Sequence, residues 1–179
     1  TFGCQANELD SARIVGLLAR EGYSLTEDEA DADLIILNGC SIRDKAEQKL
    51  YSRLGTLQAL KSKRAGLRLG VAGCLAQREG EALLRRFPYL DRVGGNGEHL
   101  AEIPRLLTIA SGRPSSATSE PTGHFPSDVE VHRESRFRAW VSIMEGCDNF
   151  CAFCVVPLTR GRERSRPPDD ILREVATLH

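Results

Sequence analysis

The sequence lacks a charge bias: 24 Lys and Arg stand against 25 Asp and Glu, leaving −1 over 179 residues. A uniformly basic nucleic-acid-binding surface is thereby excluded, and any contact with RNA has to come from a local patch. Long apolar runs are lacking too. The longest, around residues 34–37 and 140–144, fall far short of the ~20 residues that cross a bilayer, so no membrane helix is expected. No secretory signal pattern is visible, and a cytoplasmic protein is expected. The glycine-rich residues 94–97 lack the G-x-G-x-x-G spacing and read as a turn rather than a nucleotide cradle. His99, His124, His132 and His179 show no metal-ligand spacing and are given no role.

What is present is ordinary globular composition, 41% hydrophobic and 27% charged, which excludes a disordered tail or a fibrous repeat. The length suits one domain, or one and part of another, at about 150 residues each. Residue 1 is Thr, the first residues read as a strand end, and the last stop inside a helical pattern. A piece of a longer chain is expected.

Helical spacing of Leu9, Ile14, Leu17 and Leu18 predicts a helix from Asn7 to Arg20, stopped by Gly22. Residues 33–38 (DLIILN) and 67–72 predict strands buried on both faces of a parallel sheet. Between them, Ser41 is placed to cap a long helix with Ala46, Leu50, Leu54, Leu57 and Leu60 on one stripe. A helix burying Ala82, Leu83, Leu84 and Phe87 ends before Pro88, a short strand covers 91–93, and a last helix covers 99–110. This alternation predicts an α/β domain over residues 1–110. Residues 111–135, rich in Pro, Ser and Thr, read as a linker. From 136 to 179 a second domain begins, with a strand over 138–144 and a helix opened by Pro167, Pro168, Asp169 and Asp170.

Six cysteines without a secretory signature read as ligands or reactive thiols rather than as a disulfide framework. Cys147, Cys151 and Cys154 form a Cys-x3-Cys-x2-Cys run directly after a strand. A structural zinc site wants four closed ligands, whereas an iron–sulfur cubane held by three thiolates keeps one iron free for another molecule. The alternative is a zinc knuckle whose fourth ligand lies elsewhere. Cys4, Cys40 and Cys74 form a dispersed set, each preceded by glycine and each placed where a strand ends and a helix begins. Ligands of open parallel sheets bind beyond that edge, so the three could converge on a second cluster; the alternative is three ordinary buried cysteines.

With residues 3–7 (GCQAN), 38–43 (NGCSIR), 45–49 (KAEQK) and 73–80 (GCLAQREG) in order, the chain resembles the methylthiotransferase family of radical S-adenosylmethionine (SAM) enzymes. Residues 142–154 (SIMEGCDNFCAFC) and 155–166 (VVPLTRGRERSR) resemble the radical SAM segment of the same family. Ala6, Gly39 and Leu158 depart from the usual Met, Thr and aromatic residue, and none of these changes removes a ligand. The resemblance implies a Rossmann- or flavodoxin-like N-terminal domain followed by the start of a radical SAM β/α barrel. It also implies two 4Fe-4S clusters. The one on Cys147, Cys151 and Cys154 would hold SAM and reduce it to a 5′-deoxyadenosyl radical; the one on Cys4, Cys40 and Cys74 would carry the sulfur to be methylated and transferred. The implied reaction inserts a methylthio group at C2 of N6-dimethylallyladenosine at position 37, beside the anticodon of tRNA. Related family members act on threonylcarbamoyl-adenosine in tRNA or on a ribosomal-protein aspartate, and a rival of another class is a non-catalytic iron–sulfur or zinc protein that binds RNA. Implied partners are the anticodon stem-loop and an electron donor such as flavodoxin or ferredoxin. A monomer is expected, and the piece by itself is expected to be inactive.

Two weaker signals remain. Arg160, Arg162, Arg164 and Arg166 alternate along one segment, as phosphate or carboxylate contacts, as a solvated loop, or as an interface. Asn7, Gln77 and Asn149 lie close to cysteines and are candidates to orient them.

Overall fold

The computed structural model describes residues 1–96, 114–118, 131–133 and 135–178. Four strands, β1 (Leu34–Asn38), β2 (Arg68–Ala72), β3 (Arg92–Gly94) and β4 (Ser115–Ala117), form one parallel sheet in the order β1-β2-β3-β4. Phe2 extends it through a parallel bridge to Gly39. The predicted α/β architecture is therefore present. Its apolar strands carry few polar side chains because helices and loops cover both faces.

Helix α1 (Gln5–Arg20) starts two residues earlier than the apolar period predicts. The cause is a turn at its entrance, where the Asn7 Oδ1 accepts from the Cys4 N–H at 3.3 Å. Helix α2 (Asp44–Lys63) buries Leu50, Leu54 and Leu57 at i, i+4 and i+7. They pack with Leu69 and Val71 of β2 and with Val93 of β3, each fully buried leucine contributing about 1.5–3 kcal/mol. Ser41 does not cap α2 as expected: the N-cap is Arg43, and among the described residues the buried Ser41 hydroxyl has no hydrogen-bond partner.

Where one helix ending before Pro88 is predicted, two short ones occur, α3 (Cys74–Glu79) and α4 (Glu81–Arg86), broken at Gly80 with φ +50°. Of the four residues expected inside, Leu83 alone is fully buried. Ser115–Ala117, inside the stretch read as a linker, is the edge strand of the sheet. The predicted helix over 99–110 lies outside the described residues.

In the second segment, β5 (Met144–Glu145) pairs antiparallel with β6 (Arg164–Ser165). A strand needs a partner along its length, and among the described residues only β6 offers one. The predicted strand over 138–144 therefore shrinks to its last residue plus Glu145. Between β5 and β6 runs α5 (Val156–Arg160), and α6 (Pro168–Ala176) follows with Pro in its first turn as expected. The stretch leading into β5 is pinned to α1, since the His132 N–H donates to the Ala12 carbonyl at 3.0 Å and the Trp140 indole N–H donates to Glu8 at 3.0 Å. Among the described residues, no helix is long and apolar enough to cross a membrane.

Candidate functional site

The dispersed cysteines occupy equivalent places. Asn38 of β1 is in register with Ala72 of β2, and Cys40 and Cys74 each follow two residues later. Cys4 follows two residues after Phe2, whose N–H donates to the Asn38 carbonyl at 2.8 Å and whose carbonyl accepts from the Cys40 N–H at 2.9 Å. Three neighbouring chain ends thus deliver one thiol each to the same sheet edge. All three are free; Cys40 and Cys74 are buried and Cys4 is half-buried.

The glycine before Cys74 is required by space and by backbone. Gly73 sits at φ +91°, and a Cβ there would lie 2.1 Å from Asn38 Oδ1 and 2.9 Å from the Gly39 carbonyl oxygen. Only a residue without a side chain lets the β2 end approach the β1 end this closely. Buried Asn7 and Asn38 seal the edge. The Asn7 amide donates to Asn38 Oδ1 at 3.0 Å, and the Asn38 amide donates to the Asn7 carbonyl at 2.9 Å. Asn7 also faces the Cys4 thiol at 3.5 Å, as expected for an orienting residue. The Gln77 amide donates to the Thr118 carbonyl at 2.7 Å, and its oxygen accepts from the Asn96 N–H at 3.3 Å.

The compact set lies on one loop. Cys147 and Cys154 are half-buried and Cys151 is exposed. Gly146 opens the loop at φ +77°, where a Cβ would meet the Arg162 carbonyl oxygen at 2.0 Å. The Asn149 amide reaches the Cys147 sulfur at 3.4 Å, and the Cys154 N–H closes a turn on the Cys151 carbonyl at 2.9 Å. Phe150 takes a left-handed conformation at φ 45°, and Phe153 is 95% exposed.

Among the described residues no three Cys, His, Asp or Glu side chains are gathered as a metal site. The thiols are neighbours on an edge and on a loop rather than closed triads. Their chemistry fits a thiophilic group nonetheless: each set offers three soft sulfur donors that are in no disulfide, which favour iron–sulfur clusters, copper(I) or zinc over hard cations. The cleft bordered by Glu8, Ala12, His132, Arg133 and Trp140 has none of the six cysteines in its lining.

The four alternating arginines are not a phosphate patch. Arg160 pairs with Asp10 at 2.7 Å, Arg164 lies 3.5 Å from Glu145, and Arg166 is paired with Glu174. Only Arg162 is turned out, 65% exposed and 2.9 Å from Asp148. Side-chain length hides this in the sequence, since alternation in an extended segment says nothing about which carboxylates lie opposite. Burial pushes the Asp10 carboxyl up, against the pull of Arg160. Burial likewise raises the Cys74 thiol, opposed by Arg160 and by a hydrogen bond from Asn96. For Arg160, burial works to lower the value, but Asp10, Cys74 and Glu145 outweigh it and hold the guanidinium above the usual arginine range. Asp10, Arg13, Asn38, Asn96 and Glu145 are the buried polar residues that pattern reasoning missed. Asn38 alone had a signal, as a polar residue closing an apolar strand immediately before a Gly-Cys pair.

A parallel α/β sheet with a cysteine at each of three neighbouring strand ends is the architecture over which a family model matches. Residues 1–95, more than half of the chain, match the uncharacterized protein family UPF0004, and the chain belongs to that family. Nearly the whole chain is also similar to curated proteins named tRNA-2-methylthio-N(6)-dimethylallyladenosine synthase. The one from Dictyoglomus thermophilum is 42% identical over 181 residues, covering 99% of this chain and 41% of the relative. Those from Syntrophobacter fumaroxidans and Paracoccus denitrificans are 48% and 45% identical, again over 99% of this chain and 40% of each relative. The chain therefore spans about two fifths of the length of these relatives.

Proposed function

We propose that this chain is part of a radical SAM tRNA methylthiotransferase that places a methylthio group on C2 of N6-dimethylallyladenosine at position 37 of tRNA. The observation that carries the reading is similarity along 99% of the chain, through both cysteine sets, to synthases of that name. Residues 1–110 act as the sulfur-handling domain, 111–135 as the connection, and 136–179 as the beginning of the SAM-binding barrel. The partners in this reading are the tRNA anticodon stem-loop and an electron donor of the flavodoxin or ferredoxin type, in the cytoplasm.

Cys147, Cys151 and Cys154 would hold a 4Fe-4S cluster that takes SAM, and Cys4, Cys40 and Cys74 an auxiliary one. When bound, these groups supply the radical and sulfur-transfer chemistry that no side chain offers. The chain's own residues hold and shield. Asn149 donates towards the Cys147 sulfur at 3.4 Å and holds its orientation in the loop. The Asn7–Asn38 pair fixes Cys4 beside Cys40, and the close packing at Gly73 brings Cys74 alongside. Cys151 and Phe153 stay exposed at the loop tip, where a ligand can enter.

The test is anaerobic reconstitution of the whole protein together with tRNA mass spectrometry. Two cubanes require about eight iron atoms per chain. Replacing Cys147, Cys151 and Cys154 by Ala should abolish reductive SAM cleavage. Replacing Cys4, Cys40 and Cys74 by Ala should leave that cleavage measurable while methylthiolated tRNA disappears. Stoichiometric zinc, or methylthiolated tRNA from the second variant, would overturn the reading.

A further inference from the structure

The charges buried between α1, α3 and the second segment have no part in the function proposed above. Asp10, 2% exposed at its side chain, lies on α1, the helix that Cys4 opens, and Arg160 closes α5 some 150 positions later. Their contact at 2.7 Å is supported on both sides. Arg13, one turn from Asp10, pairs with Glu145 at 2.7 Å, and the Asn96 amide donates to the Thr159 carbonyl at 2.8 Å. Helix α5 packs on α3, whose first residue is Cys74.

A guanidinium presents five N–H donors in a planar fork, more than one carboxylate oxygen engages. Arg160 spends part of that capacity on Asp10, and another part faces the Cys74 thiol, which Asn96 approaches as well. A buried arginine that holds an anion, on a helix packed against the one that Cys74 opens, is costly as a mere fastening, because desolvation offsets much of the ion-pair attraction. An apolar contact would join the two segments at lower cost. What an apolar contact lacks is a positive charge at the sulfur.

We infer that Arg160 is a positioning residue for the auxiliary centre: clamped by Asp10, it delivers from the second segment the positive charge that faces Cys74 and sets the reduction potential there. The inference rests on the reading of Cys4, Cys40 and Cys74 as cluster ligands. Cluster potentials depend on net charge, on hydrogen bonds to sulfur and on exposure. A cation beside a ligand favours the reduced, more negative state. Because Arg160 lies six residues after Cys154, the same short segment connects the SAM-side loop to the charge at the other centre.

The experiment uses the whole protein in a Cys147→Ala, Cys151→Ala, Cys154→Ala background, so that only the dispersed set can load. The midpoint potential is read by electron paramagnetic resonance during redox titration. Arg160→Gln should shift it to more negative values by about tenfold in the reduced-to-oxidised ratio, equivalent to about 59 mV for one electron. Arg160→Lys keeps the charge and should return most of the shift. If Arg160→Gln does not fold, Arg160→Met, neutral and similar in length, is read against Arg160→Lys instead: a tenfold negative shift for Met that Lys does not show supports the inference, and equal potentials for the two overturn it. An unmoved potential in a folded, loaded Arg160→Gln variant, or a shift that Lys does not recover, overturns the inference and leaves the functional reading standing. Failure of the parent background to bind any iron–sulfur cluster overturns the functional reading and the inference with it.

Discussion

Arg13 and Glu145, 132 positions apart in the chain, meet at 2.7 Å with side chains only 5% and 6% exposed. The contact joins the first helix to the strand that leads into the compact cysteine loop. Removing one partner of a buried pair typically costs about 3–5 kcal/mol, because the remaining charge is left without compensation. Arg164, 3.5 Å from Glu145, absorbs part of that loss. Arg13→Met is expected to lower unfolding free energy by about 3 kcal/mol, towards the lower end of that range. Urea unfolding followed by circular dichroism checks it, and an unchanged midpoint would show that the pair contributes nothing to stability.

Gly73 is the tightest point of the cysteine edge. Gly73→Ala imposes a left-handed conformation on a residue with a side chain and drives its Cβ into Asn38. Strain of this kind costs about 1–3 kcal/mol before the displacement of Asn38 is counted. Gly55, in the middle of α2 with open space around it, is the matched control. Gly55→Ala should be neutral or stabilising by roughly 0.5–1 kcal/mol, since alanine is the better helix former. Equal responses at the two sites, measured by thermal unfolding, would contradict the packing described at the strand ends.

Tyr51 gives a pH signature of its own. Burial, and a hydrogen bond from its hydroxyl to Glu47 at 2.9 Å, push the phenol from 10.0 up to about 12. Below pH 10 the phenol is protonated in both the folded and the unfolded chain, and its contribution to stability is fully present. Between about 10 and 12 the unfolded chain loses the proton first, so stability falls as pH rises. Tyr51→Phe should flatten that decline. Denaturant midpoints across this range check the expectation, and parallel curves for Tyr51→Phe and the parent would count against it.

The parts of the fold that were legible in the sequence are those fixed by local pattern. β1 and β2 announce themselves as short apolar runs, α2 by its leucine stripe, and the Gly-Cys pairs by their recurrence at strand ends. What was hidden depends on contacts distant in sequence. Ser115–Ala117 has no strand propensity to speak of and becomes one by pairing with β3. Helix α3 has six residues, too few to show a period. The arginine segment looks alike whether it faces solvent or a buried carboxylate, and nothing near Asp10 in sequence points to Arg160. The mutual contact of Asn7 and Asn38 was invisible for the same reason, although Asn7 stood out by lying near Cys4.

The two sets of sulfurs differ in what must happen before they become neighbours. Cys147, Cys151 and Cys154 fall within eight consecutive residues, so even an unfolded chain keeps them within a loop whose closure costs little entropy. Cys4, Cys40 and Cys74 come abreast only after Phe2 has paired with Gly39 and β1 with β2. Their meeting is an event of tertiary folding and belongs among the slower, long-range steps. Opening of this one sheet edge would scatter one set of thiols while the other stayed together, so metal loading of the two centres should part company under mild denaturing conditions.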